Sequence, residues 1–121
     1  MGITDIFLRV YRTFAFADQE VLWVTTTKTS LVIKEFLNHF HGAVVYIEDI
    51  EVTDPISTID RWCTRKNLAS IVNFSIFYQD RKILQFHDDS RQMAVSREAF
   101  DLVTELALKR WIRYEWIKGR I

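Results

Sequence analysis

The last quarter of the chain, Ser96 to Gly119, constrains the fold more than any other stretch. At about 100° per residue, Ala99, Phe100, Val103, Leu106, Ala107, Trp111, Tyr114 and Ile117 share one face, with Arg110 the polar exception among them. Glu98, Asp101, Glu105 and Lys109 fall opposite. Ser96 stands where an N-cap belongs, and Glu98 and Asp101 place negative charge near the positive end of the helix dipole. Lys109, Arg110, Arg113 and Lys118 place positive charge toward the other end, and Gly119 suits a left-handed C′ position. The pattern predicts one long C-terminal helix, roughly 30 Å or more at about 1.5 Å per residue. Leu108, Ile112 and Trp116, spaced i, i+4, i+8, add a second apolar stripe on the otherwise polar side. A helix apolar on both sides is expected to be covered on both.

A chain of 121 residues suits one domain, 1–121, with a single core. An aromatic content of 14% supplies the material for it. Three glycines and one proline argue against disorder, linkers and a many-turned β-sandwich. The formal charge of zero sets up no global field toward nucleic acid. Cys63, the lone cysteine, cannot close an internal disulfide, which fits a reducing, cytoplasmic setting. The N-terminus MGITDIFLRVYR lacks the build of a signal peptide, and no apolar run reaches the roughly 18 residues of a membrane span.

Along the chain, residues 3–16 fit a helix by spacing and a strand by content, and the spacing favours helix. Val21 to Thr27 reads as a strand, Leu31 to His41 as a helix closed by Gly42, and Ala43 to Val52 as a second strand. That order fits a βαβ unit with a right-handed crossover. Asp54-Pro55 opens a short helix to Lys66. Ala69 to Tyr78 and Ile83 to His87 read as a hairpin, and the absence of glycine in Gln79–Lys82 argues for a four-residue loop between them. The expected fold class is therefore α+β: a small mixed sheet of about four strands, a βαβ unit followed by a β-hairpin, packed by helices with one long C-terminal helix.

Candidate chemistry is sparse. Thr25 to Ser30 lies between a strand and a helix, where anions bind, but it has no glycine to wrap a phosphate. Asp49 and Glu51 would share a face of one strand and could hold Mg²⁺, although a solvated strand end explains them as well. His39 and His41 lack the spacing of a helical zinc site, and His87-Asp88-Asp89 reads as a polar strand exit. No catalytic set, metal site or cofactor site is expected.

The expectation that follows is a non-enzymatic protein–protein interaction module, of accessory, inhibitor or immunity type, acting through the C-terminal helix. Leu108, Ile112, Trp116 and Arg113 would meet the partner, a second copy or a dedicated protein. The acidic stretch 48–60 and the basic tail are oppositely charged, which favours association. The alternative is a nucleic-acid-binding or metal-dependent nucleic-acid-processing domain using Lys109, Arg110, Lys118 and Arg120 among the tail aromatics. No contact with a membrane is expected.

Overall fold

The β-branched and aromatic run VLWVTT forms the first strand of the computed structural model, β1 (Val21–Thr26). The structure describes residues 21–62 and 70–117. Helix α1 (Thr29–His39) buries Thr29, Val32, Ile33, Phe36 and Leu37, the spacing of one helical face. Leu31 lies off that face and is exposed. The chain leaves α1 through a turn in which the Ala43 N–H donates to the Phe40 carbonyl (3.1 Å), with Gly42 at φ +84. Strands β2 (Val44–Ile47) and β3 (Ile50–Val52) follow, then helix α2 (Pro55–Trp62). A meander of β4 (Asn73–Tyr78), β5 (Arg81–His87) and β6 (Gln92–Ser96) leads into a 3-10 turn (Arg97–Ala99), helix α3 (Phe100–Leu108) and strand β7 (Ile112–Ile117).

All seven strands form one sheet in the order β3-β2-β4-β5-β6-β1-β7, with every neighbouring pair antiparallel. The expected mixed sheet of about four strands is thereby corrected. β1 and β2 run the same way, as a strand–helix–strand crossover requires, but three strands lie between them, so no adjacent βαβ pair forms. Instead two shorter crossovers share a plan. α2 carries the chain from β3 to β4 on either side of β2, and α3 carries it from β6 to β7 on either side of β1.

The long C-terminal helix is the second correction. α3 stops at Leu108 in a Schellman cap: the Arg110 N–H donates to the Ala107 carbonyl (3.0 Å) and the Trp111 N–H to the Leu106 carbonyl (3.1 Å). Arg110 takes the left-handed C′ position, φ +63, that glycine usually fills. Beyond it Ile112, Tyr114 and Trp116 alternate with Arg113 and Glu115, the period of a strand, and Ile, Tyr and Trp are strong strand formers. The helical stripe is real only as far as Ala107. Ser96 does cap as its position suggested, its Oγ accepting from the Glu98 N–H at 3.4 Å, but what it caps is the 3-10 turn. Gly119 lies outside the described residues, as do residues 3–16, Cys63 and the far end of the helix expected to reach Lys66.

Scarce glycine also misleads at the hairpins. The chain between β2 and β3 turns on Glu48 (φ +53) and Asp49 (φ +66), and the chain between β4 and β5 on Gln79 (φ +51) and Asp80 (φ +63). Two consecutive left-handed residues are the mark of a two-residue type I′ turn. The four-residue loop expected at 79–82 and the unbroken strand 43–52 are both replaced by such turns.

The helices share one face of the sheet. Across all seven strands a single row of paired residues, Val52, Val45, Ile76, Leu84, Val95, Leu22 and Trp116, faces them. Phe74 and Phe86 stack beside that row, centroids 4.9 Å apart and rings 7° from parallel. Phe36, Ile59 and Val103 close over it from the three helices, so one core joins all the helices to the sheet. The Lys34–Asp60 ion pair links α1 to α2 at the surface.

The Schellman cap supplies a stability prediction. A non-glycine residue in the left-handed region costs about 1–2 kcal/mol, and glycine returns part of that in unfolded-chain entropy. Arg110→Gly is expected to raise unfolding stability by about 0.5–1 kcal/mol in chemical denaturation, and Arg110→Val to lower it by a similar amount. If residues 96–119 were one helix, Arg110→Gly would instead destabilise.

Candidate functional site

The outer face of the sheet repeats the register of the inner one. Glu51, Tyr46, Ser75, Gln85, Ala94, Trp23 and Glu115 form a row across it, polar and aromatic where the inner row is aliphatic. Val21 and Ala94 are buried on this face and Trp23 packs against them. Toward β2 the surface opens into a shallow cleft of about 520 Å³ lined by Val44, Tyr46, Phe77, Tyr78 and Asp80. Tyr46 and Phe77 meet edge to face at 5.4 Å. Lys82 lies over the Phe77 ring with Nζ 5.3 Å from its centroid and donates to Gln85 Oε1 at 3.3 Å. Partial burial holds the Lys82 amine below its ordinary range, and the Asp49 carboxylate opposes that shift.

The carboxylates and imidazoles occupy separate structural posts. Glu48 lies in the turn, and its Oε1 accepts from the Val72 N–H (2.9 Å) and the Asn73 N–H (2.6 Å), tying the β2–β3 hairpin to the start of β4. Asp49 also lies in the turn while Glu51 is in β3, so the shared strand face expected for them does not exist. Among the described residues no group of three or more His, Cys, Asp or Glu side chains is placed to hold a metal ion. His87 contacts Asn73 Oδ1 through Nδ1 (2.6 Å) and Asp88 Oδ2 through Nε2 (3.1 Å). His39 packs edge-on against Phe40 at 4.8 Å, and His41 is exposed at the rim of the cleft.

The threonine-rich loop serves as a clasp. Thr26, buried at the end of β1, donates from Oγ1 to the Trp111 carbonyl (2.7 Å) and accepts from the Lys28 N–H (2.9 Å). Thr29 Oγ1 donates to the Ser90 carbonyl (2.6 Å). Two of the hydroxyls that an anion would use are thus spent on the chain itself. The first of these bonds holds the end of the α3–β7 turn against β1 and so sets where β7 begins.

The C-terminal residues singled out in the sequence separate. Ile112 is 5% exposed and belongs to the core. Trp116 is half-buried on the helix-bearing face, its ring 5.2 Å from Phe100, with Tyr114 beside it at 6.1 Å from the same ring. As strand residues both lie on the helix-bearing face, Ile112 in the core and Trp116 packed against it. Leu108 ends α3 at 85% exposure, the most exposed large apolar side chain described. Lys109 lies over the Trp111 ring, Nζ 4.9 Å from its centroid, and Arg110 occupies the cap. Lys118 and Arg120 lie outside the described residues. Arg113 and Glu115 are exposed on the outer face of β7, and neither has an ion-pair partner among the described residues.

What the sequence did not single out is the edge itself. β7 pairs with β1 over six consecutive residues without a bulge, and no strand among the described residues lies on its other side. The opposite edge is β3, only three residues long. The signal was present in the alternation of Ile112 to Ile117.

No helix among the described residues is long and apolar enough to cross a membrane. No protein-family model matches the chain, and neither a curated protein nor a solved structure is similar to it.

The Thr26 clasp is testable. Thr26→Val keeps the shape but leaves the Trp111 carbonyl without its donor, and is expected to cost about 1–2 kcal/mol by denaturant titration. Thr26→Ser, which keeps the hydroxyl, is expected to lose less than half of that. Equal losses would remove the hydrogen bond from the account.

Proposed function

We propose that the chain is a cytoplasmic, non-enzymatic protein–protein interaction module, of accessory, inhibitor or immunity type, that binds its partner through the segment from Leu108 to Ile117. The observation that carries this is the edge of β7, which no strand among the described residues covers. An edge strand offers a row of unpaired N–H and C=O groups, and folds blunt such edges by keeping them short, bulged, proline-bearing or covered. β3 is short. β7 has six residues, no bulge and no proline, and among the described residues its outward charges are what guards it. Such an edge suits strand addition, in which main-chain hydrogen bonds supply affinity and side chains supply register. Leu108, exposed shortly before β7 begins, adds an apolar contact, and Arg113 a charged one.

The nucleic-acid alternative finds less support in the geometry. Tyr114 and Trp116, which would stack on bases, face the helices and Phe100.

A photo-reactive benzoylphenylalanine tests the reading when placed at Leu108 and, as a control, at exposed Asn38 on α1. Irradiated in the cells the protein comes from, the Leu108 variant is expected to give one discrete protein adduct, identified by mass spectrometry, and the Asn38 variant none. No adduct from Leu108, or the same spread of adducts from both positions, would contradict the proposal.

A further inference from the structure

We infer that the partner of the β7 edge is a second copy of this chain, paired antiparallel about a twofold axis at Tyr114. The inference rests on the reading of β7 as an interface, and the sequence of the strand supplies the register. Antiparallel self-pairing centred on residue n places n−k opposite n+k. Centred on Tyr114, it sets Arg113 opposite Glu115 of the second copy and Glu115 opposite its Arg113. It also sets Ile112 opposite Trp116 on the helix-bearing face. Each of these pairings is favourable: opposite charges, and aromatic against β-branched.

Neighbouring registers fail by charge or by pleat. Centring on Arg113 or on Glu115 places that charge against its own copy, which repels. A register shifted by half a step sets inner-face residues of one chain against outer-face residues of the other, so the two helix-bearing faces no longer match across the junction. In the Tyr114 register inner-face residues meet inner-face residues, and Arg113 and Glu115, which have no ion-pair partner among the described residues of one chain, are paired in two. β3, with Ile50 exposed and only three residues, offers no comparable match.

A junction of two six-residue strands is small beside the roughly 1,200–2,000 Å² of a stable interface. The dimer is therefore weak, with a dissociation constant in the range of roughly tens to hundreds of micromolar.

The test is sedimentation velocity on the full chain up to roughly 500 μM. The wild type is expected to sediment as a monomer–dimer mixture. Arg113→Glu and Glu115→Arg each bring like charges together twice, and each is expected to weaken dimerisation about tenfold or more. An equimolar mixture of the two single variants restores both opposite-charge pairs, as does the double variant, and both samples are expected to dimerise like the wild type. Recovery in the mixture also shows that the single variants are folded. A wild type that stays monomeric at the highest concentration overturns the inference, as does a dimer indifferent to both reversals, or failure of both the mixture and the double variant to recover. The Leu108 adduct separates the two readings. Another polypeptide in it defeats the second copy and leaves the interface standing, whereas a monomer with no adduct at all defeats both.

Discussion

One in-register alignment of seven strands governs this molecule. The row from Val52 through Ile76 and Leu22 to Trp116 gives the helices a single aliphatic floor. Because strand side chains alternate with a period of two, a slip by one residue anywhere in the row would send its apolar side chains to the other face. The same register fixes everything on the outer face, including the outward position of Arg113 and Glu115 and the aromatic cleft at Tyr46 and Phe77. The chemistry of the edge is thus a consequence of the packing of the core.

Local signals were legible where one period dominated. The VLWVTT strand, the helix after Lys28, the glycine turn at 42 and the Pro55 helix start all stand close to where pattern and punctuation put them. Residues 111–117 were not legible, because their apolar spacing satisfies both 3.6 and 2. Composition decides such a case, and Ile-Arg-Tyr-Glu-Trp-Ile is a strand by composition. The stretch upstream, 100–108, is an unambiguous helix, and its period runs on unbroken through Trp111 and Tyr114.

The missing punctuation has a physical basis. With three glycines in the whole chain, tight turns fall on residues that enter the left-handed region at some cost. Glu48-Asp49, Gln79-Asp80, Asp88 and Arg110 all do so. Each is held by what surrounds it: two ladder-paired strands at the first hairpin and again at the second, the Asp88 N–H donating to the Val72 carbonyl (2.8 Å), and the Schellman bonds at Arg110. Glycine scarcity therefore did not mean turn scarcity, and a strand-rich antiparallel sheet arose from a composition that argued for few turns. Of the C-terminal residues that the helical spacing singled out, Leu108 and Arg113 are exposed, while Ile112 is buried in the core and Trp116 packs half-buried against it.

The functional account turns on whether the β7 edge is where two chains meet. Isotope-filtered nuclear Overhauser spectroscopy on an equimolar mixture of labelled and unlabelled chain, at a concentration where dimer is populated, measures this directly. Intermolecular contacts between the backbones of Arg113 and Glu115, and between Ile112 and Trp116, are the result expected. Intermolecular contacts confined to other elements, or none in a sample shown to be dimeric, would contradict it.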